Sequence, residues 1–87
     1  TYSFSKTAKF AGGIVELYMS VEKGKIENLK ILGDYFFTLP TEEFCNRMTG
    51  TPHTPDAVLD SVQQMEGDIN SYFSNITVQE IASLFFE

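Results

Sequence analysis

Apolar and polar positions change their spacing once along this chain. From Ile14 to Glu22 they alternate, with Val15, Leu17, Met19 and Val21 on one side of an extended backbone and Glu16, Tyr18, Ser20 and Glu22 on the other. This predicts a strand with one packed face and one wet face. Residues Tyr2 to Phe10 alternate more loosely, with Tyr2, Phe4 and Phe10 on one parity and Ser3, Ser5, Thr7 and Lys9 on the other. An edge strand or extended arm fits, its lysines discouraging association between sheets. Ala11-Gly12-Gly13 interrupts the run. Glu22-Lys23-Gly24-Lys25 puts a glycine where positive φ is needed, so a tight antiparallel hairpin is predicted into a third strand over Lys25 to Gly33. There Leu29 and Ile31 hold one phase and Ile26 the other, which predicts a bulge or a late strand start near Glu27-Asn28.

Beyond Phe37 the spacing becomes helical. Pro40 or Thr41 opens a first helix, with Glu42 and Glu43 where the dipole favours anions and Phe44 and Met48 four apart; Gly50 ends it. Thr54-Pro55 reads as an N-cap followed by proline at the first helical position. The second helix then runs to about Met65, with Val58, Leu59, Val62 and Met65 as its apolar stripe and Gly67 as its stop. Asp68 is expected to cap a further turn carrying Ile69, Tyr72 and Phe73. Thr77-Val78-Gln79-Glu80 is a capping box, opening a final helix with Ile81, Leu84 and Phe85 inward and Phe86 frayed. Strands first and helices after predict an α+β fold: a small antiparallel sheet of about three strands, followed by three to four short helices packed on one face.

Length and charge narrow the function classes. Eighty-seven residues make one domain, 1–87, with enough apolar content for a single small core. The chain opens on Thr1 without an initiator methionine and reads as an excised piece or processed product. Its apolar runs are too short to span a bilayer and no signal segment is visible, so no membrane association and a cytoplasmic location are expected. Up to Gly33 five lysines face three carboxylates; beyond it Arg47 stands against nine. That acidic half would repel phosphate, which argues against nucleic-acid binding. It reads as a solvated face in preference to a docking surface for a basic partner.

Candidate chemistry is sparse. The single cysteine, Cys45, forms no internal disulfide and builds no metal site; it reads as a small buried hydrophobe. His53, the only histidine, lies in a proline-flanked loop with no catalytic partner at a diagnostic spacing, so a surface loop residue is expected. Carboxylates near Cys45 disfavour a thiolate and speak against a Cys45–His53 pair. Leu59-Asp60-Ser61-Val62 is weakly similar to the attachment serine of carrier proteins, but those are all-helical; Ser61 is read as a solvent-facing helix residue. Gly12-Gly13 lacks the lysine and helix start of a phosphate loop. Gly33-Asp34-Tyr35-Phe36-Phe37 remains. A glycine, a carboxylate and three consecutive rings suit a strand leaving its sheet, and neighbouring side chains in extended backbone point opposite ways. At least one ring is expected to face outward, making Gly33, Asp34, Tyr35, Phe36 and Phe37 the candidate contact surface for another domain, against the plain alternative that Asp34 only ties down the turn.

An ordered set of segments resembles the C-terminal accessory domain of bacterial and archaeal lipoate-protein ligases. The set comprises Phe10 with Gly12-Gly13-Ile14-Val15-Glu16, the hairpin Val21-Glu22-Lys23-Gly24-Lys25-Ile26, and Ile31-Leu32-Gly33-Asp34-Tyr35-Phe36. Thr49-Gly50 and Tyr72-Phe73-Ser74-Asn75-Ile76-Thr77 complete it. Tyr35 stands where the family commonly has phenylalanine. The resemblance implies a layout like that of sulfur-scaffold (SufE/NifU-like) proteins, although one cysteine does not serve cluster assembly. It implies a parent enzyme that uses ATP, Mg and lipoate to form the lipoyl-adenylate and transfers the lipoyl group to a lysine of an acceptor protein. The catalytic lysine and the lipoate and ATP pockets belong to a preceding catalytic domain absent here. This domain then has no catalytic residue, binds no cofactor and shows no ligase activity alone; its partners are the catalytic domain, in the same chain or a separate subunit, and indirectly the acceptor. The competing class is a non-enzymatic protein–protein interaction module unrelated to lipoate, using the same aromatics.

Overall fold

The computed structural model describes residues 2–87. Three strands, β1 (Phe4–Phe10), β2 (Gly13–Glu22) and β3 (Lys25–Tyr35), form an antiparallel meander in the order β1-β2-β3. Lys23 and Gly24 both take positive φ in the β2–β3 turn, matching the hairpin geometry that the right-handed twist of strands prefers. The bulge falls where the phase of Ile26 requires it. Ser20 pairs with Asn28 and Val21 with Ile26, leaving Glu27 over and returning Leu29 and Ile31 to the face that carries Val15, Leu17 and Met19.

Four helices follow: α1 (Thr41–Met48), α2 (Pro55–Gln64), α3 (Glu66–Tyr72) and α4 (Val78–Ser83). They cover that one face. Val15, Leu17, Met19, Ile26 and Ile31 of the sheet join Phe44, Met48, Val58, Val62, Ile69, Tyr72, Phe73, Ile81, Leu84 and Phe85 in one buried cluster. The caps are the ones the sequence spells. Thr54 accepts from the Ala57 N–H with Pro55 behind it, and Thr77 and Glu80 form the reciprocal capping box.

Several sequence expectations need correction. Gly67 does not stop a helix: it lies in the first turn of α3, and the break between α2 and α3 is made by Met65, whose φ of −94° and ψ of 13° are not helical. Asp68 is accordingly not a cap. β3 runs on to Tyr35, so Gly33 sits inside the ladder opposite Val15 and the strand leaves the sheet two residues later. Tyr2 does not share the parity of Phe4; the chain bends at Ser3 and the Tyr2 ring crosses to the outer sheet face, 6.0 Å from that of Tyr18. Lys6 points into the helical layer, where its ammonium donates to the Phe86 and Ser83 carbonyls at 2.8 and 3.2 Å.

The free edge of β3 is partly closed by the segment after α1. The Ile26 N–H donates to the Thr51 carbonyl, the Gly50 N–H to the Ile26 carbonyl, and the His53 N–H to the Gly24 carbonyl, all between 2.7 and 2.9 Å. Unpaired edge amides are thereby satisfied without a fourth strand. No helix among the described residues is long and apolar enough to cross a membrane.

Candidate functional site

Three groups weighed for chemistry hold the fold together. Cys45 is buried, and desolvation pushes its thiol up to about 11, a backbone hydrogen bond from Ile31 pulling the other way. It is a protonated, inert thiol at neutral pH. His53 is half-buried and not simply a surface residue. Its Nε2 lies 2.7 Å from the Phe85 carbonyl and its ring stacks on Phe86 at 4.5 Å and 10°, which also packs the Phe86 expected to fray. Ser61, expected to face solvent, is half-buried with its Oγ 3.3 Å from the Thr51 Oγ1, joining α2 to the loop after α1. Cys45 and His53 have different neighbours and form no pair.

Arg47 finds its counter-charge across the helical layer. Its Nη1 donates to Asp68 at 2.9 Å and to the Tyr72 hydroxyl at 3.0 Å, and that hydroxyl donates to Glu43 at 2.8 Å. Burial raises the Tyr72 phenol above its ordinary value, so the group stays protonated and donates. The chain of contacts ties α1 to α3. Among the described residues no group of three or more His, Cys, Asp or Glu side chains could hold a metal ion.

The exit of β3 is built differently, with a fixed backbone and free side chains. Gly13 and Gly33 lie in the β2–β3 ladder with φ of 133° and 144°. A Cβ on Gly33 would overlap the Ile14 carbonyl oxygen, and one on Gly13 the Asp34 carbonyl oxygen. Only glycine lets the two backbones approach this closely. Past the ladder, the Ser74 N–H donates to the Phe36 carbonyl at 2.9 Å, and the Thr38 and Leu39 N–H groups donate to the Ser71 carbonyl at 2.8 and 3.1 Å. The corner is thus anchored to the end of α3.

On this anchored backbone the three rings separate. Tyr35 is half-buried, its ring 5.2 Å from Phe73 and 6.0 Å from Phe37. Burial pushes its phenol above the ordinary value, against an opposing hydrogen bond with the Thr41 side chain. Phe37 is 58 % exposed and Phe36 83 %. Alternation sends the Asp34 side chain, like that of Phe36, away from the helices, where it stands exposed opposite Ile14. Its carboxylate makes no hydrogen bond to the turn. Gly33, Asp34, Tyr35, Phe36 and Phe37 therefore sit together at one corner, with Tyr35 as the half-buried root and Phe36 and Phe37 as the exposed rings. An apolar ring held in water by a pinned backbone adds little to the stability of the isolated fold.

Sequence reasoning missed two neighbours of this corner. Ile14 and Leu32, 39 and 44 % exposed, lie on the outer sheet face beside Asp34 and Glu16. The signal was available. Both are apolar at positions of wet parity, out of step with the alternation that predicted β2 and β3.

The family model described as the bacterial lipoate protein ligase C-terminus matches residues 1–85. Among curated proteins, the lipoate-protein ligase LplJ of Bacillus subtilis (strain 168) is 27 % identical over 85 residues, which are 98 % of this chain and 25 % of that protein. Lipoate–protein ligase 1 of Staphylococcus aureus (strain Mu50) is 31 % identical over 83 residues, 95 % of this chain and 25 % of that protein. The lipoate–protein ligase of Streptococcus pyogenes serotype M5 is 28 % identical over 85 residues, with 98 and 24 % covered. The chain spans about a quarter of the length of these relatives.

Proposed function

Because this chain belongs to the family of bacterial lipoate protein ligase C-terminal domains, we propose that it is the non-catalytic accessory domain of an ATP-dependent lipoate-protein ligase, docking on the catalytic domain through the Gly33–Phe37 corner. ATP, Mg and lipoate are handled by the catalytic domain, which supplies the adenylate chemistry. The accessory domain supports formation of the lipoyl-adenylate and transfer of the lipoyl group to a lysine of an acceptor. An acyl-adenylate is open to hydrolysis, so a small rigid body that closes over it and later moves aside excludes water in the first stage and admits a protein acceptor in the second.

The observation that carries this reading is Phe36, a large ring 83 % exposed on a backbone hydrogen-bonded to Ser74. Such a residue meets a partner with little ordering cost, since its backbone is already fixed. In the full-length ligase, Asp34→Ala with Phe36→Ala is expected to slow adenylation by about tenfold or more while circular dichroism and the thermal midpoint stay at the parent values. Unchanged rates of adenylation and of lipoyl transfer would contradict the proposal.

A further inference from the structure

The exposed corner is one end of a longer surface. Along β3 the side chains of Lys30, Leu32 and Asp34 share the outer face, and the same parity continues into Phe36. Across the ladder Ile14 lies opposite Asp34 and Glu16 opposite Leu32, with Tyr18 donating to Glu16 at 2.9 Å. All four helices pack on the other side. Among the described residues the outer face is thus a sheet surface with no covering layer, carrying the apolar groups of Tyr2, Ile14 and Leu32 among polar neighbours. A groove of about 310 Å³ runs between Tyr2, Lys30, Leu32 and the first turn of α1.

We infer that this outer sheet face, from Tyr2 and Tyr18 through Ile14 and Leu32 to Phe36, is the seat of the polypeptide that precedes this domain in the same ligase chain. The inference rests on the accessory-domain reading and extends it from a corner to a face. Tyr2 adds its ring to the face, against Tyr18, where the ladder alone would have sent it inward with Phe4. The length of the relatives selects this occupant over a second copy or a free protein. The relatives are about four times as long as this chain, and the family is their C-terminus, so a large body is available to arrive. The mixture of isolated apolar groups with Glu16, Lys30 and Asp34 is that of a contact between domains that separate again, not of a permanent core.

The test is thiol accessibility in the full-length ligase, with its other reactive cysteines replaced by serine. Single variants Leu32→Cys, Phe36→Cys and Gln63→Cys are labelled with a maleimide, each rate taken relative to the same variant in denaturant. Gln63 is exposed on α2, on the helical side, and is the reference. Leu32→Cys is expected to react about tenfold more slowly than Gln63→Cys. Equal rates at Leu32→Cys and Gln63→Cys overturn the inference. If Phe36→Cys is then slow, the corner still meets the catalytic domain and only the extension fails; if Phe36→Cys is fast as well, the accessory-domain contact fails with it.

Discussion

Phe44→Ala is expected to destabilise the domain by about 3–5 kcal/mol, the range for truncating a fully buried aromatic side chain. Phe44 is fully buried on the inner face of α1 and its ring meets three others: Phe73 edge-on at 5.1 Å, Tyr72 at 5.8 Å and Phe85 at 6.5 Å. Removing it opens a void where α1, α3 and the chain end after α4 converge. A small domain holds only about 5–15 kcal/mol in total, so the variant should lose a large part of its stability. Urea denaturation followed by circular dichroism measures the loss. Leu32→Ala, on the open sheet face, is the comparison and should stay within about 0.5–1 kcal/mol. A Phe44→Ala loss no greater than that of Leu32→Ala would mean the aromatic cluster repacks and does not organise the core.

Gly33→Ala is the second expected large loss, about 1–3 kcal/mol or more, from a single methyl group. The residue holds a φ of 144°, and the added carbon would meet the Ile14 carbonyl oxygen, which the ladder fixes in place. Gly24→Ala separates the two causes. Gly24 also has positive φ, at 77°, but nothing lies within 4 Å of the added carbon, so only the conformational cost of about 1 kcal/mol remains. Denaturation midpoints should therefore rank Gly33→Ala below Gly24→Ala. Equal midpoints would show that β2 and β3 separate at this end without cost, and the corner would lose its rigid base.

The fold was legible where a residue's role depends on its sequence neighbours. Alternation found β2, glycine found the hairpin, the phase of Ile26 found the bulge, and Thr54-Pro55 and Thr77 to Glu80 found two helix starts, because each signal is local backbone chemistry. It was not legible where a side chain is recruited from far along the chain. His53 bonds a carbonyl 32 residues away, Lys6 one 80 residues away, and Ser61 meets Thr51 from a different element. Gly67 misled for another reason: a glycine in an exposed first turn weakens a helix without ending one, and Met65 makes the break. At the candidate site, sequence placed the rings at the strand exit, and alternation required one to face outward. Which ring is the least exposed follows from Phe73, against which the half-buried Tyr35 packs, and that neighbour is brought up by the helices.

Arg47 shows the same division on the charged side. Composition makes it the lone cation of an acidic half, yet its partners Asp68 and Tyr72 lie on α3 and were not indicated by spacing. Once paired, it joins α1 to α3. Among the described residues the exposed large apolar side chains lie on the outer sheet face and its corner.

The most direct measurement places a photoreactive benzoylphenylalanine at Phe36 in the full-length ligase and maps the cross-links by mass spectrometry after irradiation. Cross-links from position 36 to residues upstream of Thr1 in the same polypeptide are the predicted result. Labelling confined to solvent or to residues 1–87 would contradict docking of this corner on the catalytic domain.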